Sequence, residues 1–133
     1  MNKPIIGGTL ATPMRVPDLK PVIVEEMTDV ETATITMEDN HIYMFNMILN
    51  EFKVSFPETM EHGYTSALYF LSTYSETIPP DYSSFPSNVV FKGDSVEDGR
   101  FVPERNMLYT IVFDYYFGNI IGYVSGVSCD EIL

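Results

Sequence analysis

The sequence predicts an all-β fold, an antiparallel β-sandwich or jelly roll preceded by an extended N-terminal arm. Its aromatic residues are nine Tyr and nine Phe with no Trp, and Tyr and Phe favour strands, as Val, Ile and Thr do. Short runs of alternating apolar and polar residues recur between turn-forming residues, at a spacing typical of sandwiches. Four prolines among the first 24 residues oppose any regular element there. We therefore divide the chain into an arm, residues 1–24, and a body, residues 25–133.

The arm combines breakers of regular structure with scattered apolar side chains. Each proline fixes φ and biases the preceding residue to extended geometry. An isolated extended segment buries almost none of its own surface, so apolar side chains along it indicate docking on another molecule. Glycines suit a close approach of the backbone to that molecule. The residues expected to make the anchoring contacts are Ile5, Ile6, Gly7, Gly8, Leu10 and Pro13.

The body begins with three predicted strands. In residues 32–37 three threonines alternate with three apolar residues, which predicts a half-buried strand. Residues 42–49 are mostly apolar, a pattern shared by buried helices and buried strands, and the aromatic content and flanking turns favour a strand. Residues 52–56 alternate again and end at Pro57.

The rest of the body alternates between loops and short strands. A hairpin is predicted from residues 107–115 and 120–125, with Phe117, Gly118 and Asn119 at its turn. The remaining expectations are a polar loop at 58–66, a strand at 67–74, a proline-rich loop at 76–87, a strand at 89–91 and an acidic loop at 92–100.

Charge separates the start of the chain from the rest. Residues 1–20 hold three basic residues against one acid, a balance of +2, and residues 21–133 hold four against eighteen, a balance of −14. An acidic body repels phosphate backbones and anionic membranes, so we predict neither nucleic acid nor membrane as a partner. The charge serves solubility, or it steers a basic arm towards an acidic socket.

The sequence predicts no enzyme, no cofactor and no metal site. His41, His62 and Cys129 are the only histidines and cysteine, too few for a zinc site. No Gly-x-Ser-x-Gly motif marks a nucleophile. A pair of carboxylates for glycoside cleavage stays an alternative, because an acidic protein offers many candidates.

The loop at residues 94–99 resembles a calcium loop only in its first residues. Val96 stands where the EF-hand pattern needs an oxygen ligand, and Arg105 stands where it needs the final Glu. A solvated loop is the simpler interpretation, and irregular calcium binding through Asp94, Glu97 and Asp98 is its alternative.

Four tyrosines are candidates for a glycan-binding face, since aromatic rings stack on the apolar faces of sugars. Packing in the core or in an interface is the alternative role for most of them. These residues are Tyr64, Tyr69, Tyr74 and Tyr82.

Two parts of the chain resemble proteins of tailed phages. Residues 5–13, IIGGTLATP, are similar to the short N-terminal segments by which some phage appendage proteins attach to a virion. The body resembles the C-terminal β domain of phage and prophage fibre or head-decoration proteins, although Phe91 stands where similar sequences often have Trp. The stretches that carry this second resemblance are residues 56–57, 85–91, 93–94, 101–103, 106, 108–111 and 123–126.

The resemblance implies a non-enzymatic component of the virion, made in the host cytoplasm. It implies a head fibre or decoration protein, or a short tail appendage, whose arm is held by a capsid or tail protein of the same particle. It also implies a homotrimer formed through the β domain. A module that binds a host surface glycan is the alternative function.

Overall fold

A computed structural model of the chain describes residues 21–28, 32–73 and 82–132. The described elements confirm the all-β prediction. They are β1 (Ile23–Met27), β2 (Thr32–Thr36), β3 (His41–Leu49), β4 (Glu51–Ser55), β5 (Thr65–Ser72), β6 (Ser83–Ser84), β7 (Val89–Gly93), β8 (Val96–Glu97), β9 (Arg100–Phe101), β10 (Met107–Tyr116), β11 (Asn119–Ser128) and the short helix α1 (Cys129–Ile132).

The strands form two layers and a small hairpin. A six-stranded sheet has the order β1-β3-β5-β10-β11-β7, a three-stranded sheet has the order β2-β4-β6, and β8 pairs with β9. Aromatic rings join the two layers: the Phe52 ring lies 4.9 Å from that of Phe70, and Phe56 lies 5.1 Å from Phe113. The fully buried side chains of both sheets form one core, as in a sandwich.

Strand pairing is mixed, whereas the sequence predicted antiparallel sheets. β5, β10 and β11 pair antiparallel, but β1–β3, β3–β5, β11–β7, β2–β4 and β4–β6 pair parallel. The cause is the path of the chain, because the first six strands alternate between the two sheets. Each strand therefore lies beside the strand two positions away, which runs in the same direction. An alternating pattern predicts a strand but not its neighbour.

The sheet begins slightly earlier than the predicted boundary of the body. Strand β1 pairs with β3 from Ile23 opposite His41 to Met27 opposite Phe45, so residues 23 and 24, assigned to the arm, lie in the six-stranded sheet. Pro21 is the last proline of the arm, and the β-branched residues after it favour a strand. Residues 1–20 lie outside the described part of the chain.

The predicted hairpin is confirmed and is longer than expected. β10 and β11 pair over their whole length, from Met107 opposite Ser128 to Tyr116 opposite Asn119. The acidic loop predicted at 92–100 forms the β8–β9 hairpin, which extends to Phe101, opposite Val96. The predicted strand at 67–74 is β5, which starts two residues earlier, and β6 lies within the loop predicted at 76–87.

Candidate interaction surface

The central strands of the large sheet are apolar on both faces. On β10, Tyr109, Ile111 and Phe113 are fully buried in the core. Leu108 and Val112 alternate with them and therefore lie on the opposite face of the sheet. This opposite side, the outer sheet face, is covered by none of the described strands.

Cross-strand register extends this apolar character over the sheet. Val112 lies opposite Ala67 on β5 and opposite Tyr123 on β11, and Ala67 continues through Ile42 to Val24 on β1. We define the outer sheet face by the apolar residues at these and the neighbouring register positions: Val24, Ile42, Met44, Ile48, Ala67, Tyr69, Leu71, Val90, Leu108, Val112, Ile121, Tyr123 and Val127.

Many of these side chains are open to solvent. Six of them, on five strands, are between 37 % and 52 % exposed. Single exposed apolar residues are ordinary in folded proteins, but a contiguous patch across a sheet marks an interaction surface. The six are Val24, Met44, Val90, Leu108, Tyr123 and Val127.

A shallow groove crosses the outer sheet face near β1. It has a volume of about 230 Å³, and its apolar walls come from Val22, Ile42, Ala67, Tyr69 and Val112. The groove is of a size to accept one or two apolar side chains of a partner.

Charged groups lie at the margins of the outer sheet face. Glu26 is on the edge strand β1 and Lys92 is on the opposite edge strand β7. Asp114 lies near the end of β10, beside the hairpin turn. At the centre of the face, the uncharged residues Thr110 and Ser125 lie among apolar side chains.

A second exposed feature is the tip of the β10–β11 hairpin. Phe117 is 85 % exposed and has φ of 47°, followed by Gly118 with φ of 85°. This turn geometry favours Asn, Asp or Gly, and a side chain such as Phe costs roughly 1 kcal/mol there. The sequence predicted this turn, and the structure places a large, exposed aromatic side chain at its positive-φ position.

Aromatic and polar groups surround the tip. The ring of His62 lies 5.5 Å from that of Phe117 and 6.3 Å from that of Tyr115. Beneath the turn is a cleft of about 330 Å³, whose lining includes Tyr115 together with Glu58 and Asn88. The cleft therefore offers an aromatic wall, a carboxylate and a carboxamide.

The predicted tyrosine face is not assembled among the described residues. Tyr64 and Tyr82 are buried, and their hydroxyls donate to the backbone carbonyls of Met37 and Leu49. Burial raises the pKa of both phenols. Both therefore have the core role that was the alternative prediction for these tyrosines, and neither ring is available to stack on a sugar. Tyr69 lies on the outer sheet face, and Tyr74 is outside the described residues.

The remaining predicted site residues lie in the N-terminal arm and in the acidic loop. The anchor residues Ile5, Ile6, Gly7, Gly8, Leu10 and Pro13 all lie outside the described residues. In the acidic loop, the carboxylate of Asp94 accepts a hydrogen bond from the amide of Gly126 at 3.0 Å. Among residues 21–28, 32–73 and 82–132 there is no group of three or more His, Cys, Asp or Glu side chains placed to hold a metal ion.

The outer sheet face was missed by sequence reasoning, although a signal was present. The run from Met107 to Phe113 has only one polar residue, and both of its faces are therefore apolar. Near-continuous apolar strands are typical of sheets covered on both sides.

Within the described part of the chain, no helix has the length and apolar character needed to cross a bilayer. No family model, curated protein or solved structure matches this chain.

Proposed function

We propose that this chain is a structural protein of a phage or prophage particle, a head fibre, a head decoration protein or a short tail appendage. The outer sheet face is the observation that carries the proposal. An isolated domain gains no stability from a sheet that is apolar on its uncovered side, whereas a subunit of an assembly can bury that side in a contact with its partner. The resemblance to phage appendage proteins names the kind of assembly.

The division of labour within the chain follows from its two parts. The residues that precede β1 hold the protein to a capsid or tail protein of the same virion, and the β body projects from the particle. The arm is apolar and carries +2, and the rest of the chain carries −14. Repulsion between the acidic bodies opposes non-specific association, and the basic arm is still attracted to an acidic binding site on its partner. The resemblance implies three copies in each appendage.

The region of the body that carries the resemblance is structurally contiguous, which supports the proposal. Residues 85–91 lead into β7, residues 101–103 follow from β9, and residues 108–111 and 123–126 lie on β10 and β11. β10, β11 and β7 are neighbours in the large sheet. The resembling stretches at 89–91, 108–111 and 123–126 therefore lie side by side in one half of that sheet.

Deleting residues 2–20 tests the anchoring role. We expect the truncated protein to keep its β-sheet circular dichroism and its melting temperature, since it retains every described element. We also expect it to be missing from particles purified by density gradient, when it replaces the full chain in the producing host.

A matched pair of variants separates side-chain contacts from the mere presence of the arm. The triple variant Ile5→Ser, Ile6→Ser and Leu10→Ser removes apolar contacts and should abolish incorporation into particles. The variant Thr9→Ser and Thr12→Ser keeps the arm's apolar residues and should incorporate normally. Normal incorporation of the deletion variant would show that the arm is not the anchor.

A second candidate function is the binding of a neutral glycan at the hairpin tip. The exposed and strained Phe117 favours it, because the ring offers an apolar face beside the carboxylate and carboxamide of the cleft below. The negative charge of the chain disfavours anionic sugars.

A glycan array probed with the full chain tests this second function. Phe117→Asn removes the ring and supplies a residue that suits the turn, so lost binding would not reflect a damaged hairpin. Tyr116→Phe keeps an aromatic ring at position 116 and leaves Phe117 in place, so this variant should bind as the unchanged protein does. Binding to no neutral glycan on the array would remove the function.

A further inference from the structure

We infer that a second copy of this chain packs on the outer sheet face. The inference rests on the proposed function, since it names the surface through which such a structural subunit associates with its copies. It concerns the described β body alone and does not depend on the arm.

The size of the face is that of a specific interface. Six strands spaced about 4.8 Å apart, with central strands that rise about 3.3 Å per residue, give a face of roughly 700 Å². A standard protein–protein interface buries about 800 Å² on each partner. The outer sheet face is therefore large enough to hold a protein domain, and larger than a peptide or a sugar requires.

The distribution of charge selects a copy of the chain as the partner. The chain carries a net charge of −12, so two copies can associate closely only where acidic groups are absent. The centre of the outer sheet face meets this condition, with its acidic residues Glu26 and Asp114 at the margins. A basic partner would instead be recognised by acidic side chains within the patch.

The two edges of the face are complementary in charge. Glu26 lies on β1 at one edge, and Lys92 lies on β7 at the other. Copies that meet with the β1 edge of one beside the β7 edge of the next bring opposite charges together. Such an arrangement adds attraction at the rim of an apolar contact, where charged groups are usually found.

The groove provides a place for an anchoring side chain. Its walls include Val112 at the centre of the face and Tyr69 beside it. Tyr123 is 41 % exposed and lies opposite Val112 on the neighbouring strand, so an identical face supplies an aromatic side chain to enter an apolar groove. Aromatic residues seated in such pockets dominate interface energetics.

Light scattering of the full chain, measured after gel filtration over a range of concentrations, tests the inference. We expect a mass of at least two chains, of 15.1 kDa each. Val112→Asp should raise the dissociation constant by on the order of 100-fold or more, because it places an unpaired charge in the contact. Thr34→Asp adds the same charge to an exposed position of the three-stranded sheet and should leave the mass unchanged.

Two further variants cover the other outcomes. If Val112→Asp fails to fold, judged by circular dichroism, Tyr123→Glu at an exposed position replaces it and should give monomers. A monomer at the highest concentration overturns the inference. An oligomer that persists in both Val112→Asp and Tyr123→Glu overturns it as well. An oligomer lost on deletion of residues 2–20 but kept in Val112→Asp would also overturn it, since the arm would then join the copies.

These results are separable from the test of the proposed function. A monomeric chain that still incorporates into particles overturns only the contact between copies. A chain that oligomerises through the outer sheet face but never enters a particle overturns the virion role and leaves the contact standing.

Discussion

The two faces of the six-stranded sheet are built from the same strands but have different surroundings. On β10, Phe113 is fully buried and contacts the ring of Phe56 from the loop after β4. Its neighbour Val112 lies on the outer sheet face and lines an open groove. Both residues are apolar, so hydrophobicity alone does not distinguish a side chain that stabilises the fold from one that is left for a partner.

This difference shows that one sheet can form two kinds of contact, one within the chain and one with a partner. The inner contact, with the three-stranded sheet, lies within one chain and stabilises the fold at any concentration. The outer contact depends on the concentration of a partner, because association must overcome lost translational and rotational freedom. Substitutions on the two faces should therefore differ in what they change.

The largest effect is expected from Phe113→Ala on the inner face. Removing a buried phenyl ring costs about 3–5 kcal/mol in the free energy of unfolding, because lost transfer energy is combined with a cavity. Urea denaturation followed by circular dichroism measures this loss. Val112→Ala on the same strand, studied in dilute solution, should cost much less, since the Val112 side chain is only half-buried. Equal losses at the two positions would contradict the distinction between the faces.

A smaller loss is expected from Gly122→Ala, which adds volume to the inner face. A Cβ at this position would lie 2.7 Å from the ring of Phe91 and 3.2 Å from that of Phe113. Such overpacking costs about 1–3 kcal/mol, measurable as a lower urea midpoint. Ser125→Ala, at an exposed position of the same strand on the outer face, is the control and should stay within about 0.5 kcal/mol.

The smallest expected effect comes from the buried phenols, which change the free energy of unfolding with pH only in alkaline solution. Burial raises the pKa of Tyr64 above the ordinary value of 10. Below that pH the phenol is protonated in both states and stability does not depend on it. Above it, the unfolded chain loses the proton while the folded chain keeps it, so the free energy of unfolding falls as pH rises.

Urea titrations between pH 8 and pH 11 measure this dependence. Tyr64→Phe should make the decline above pH 10 shallower, because one group that ionises only in the unfolded chain is gone. The same substitution removes the hydroxyl that donates to the Met37 carbonyl and lowers stability at pH 8 by about 1 kcal/mol. An unchanged slope would show that the phenol ionises equally in both states.

Local patterns in the sequence predicted much of the fold. Alternation identified β2 and β4, whose burial alternates residue by residue. The Phe117–Gly118 turn identified the hairpin of β10 and β11. Each of these features depends on contacts between residues close in the chain or on a single strand. They are therefore encoded in short stretches.

Long-range features were not predictable in this way. Parallel pairing of β1, β3 and β5 depends on how the chain crosses between the sheets. Tyr82 is buried and donates a hydrogen bond to the carbonyl of Leu49, 33 residues away along the chain. Nothing in the residues around Tyr82 separates such a core tyrosine from one on a binding face. The candidate surface was missed for the same reason, since it exists only when six strands lie side by side.

The amino-acid sequence by itself determined that the chain is all-β, where most strands lie and that its charge is concentrated after residue 20. The tertiary structure decided which strands are neighbours, which tyrosines are internal and which apolar side chains are left exposed. The physical reason is that strand formation is governed by side-chain alternation and turn chemistry within a few residues. Exposure depends on which face of a finished sheet the second layer covers.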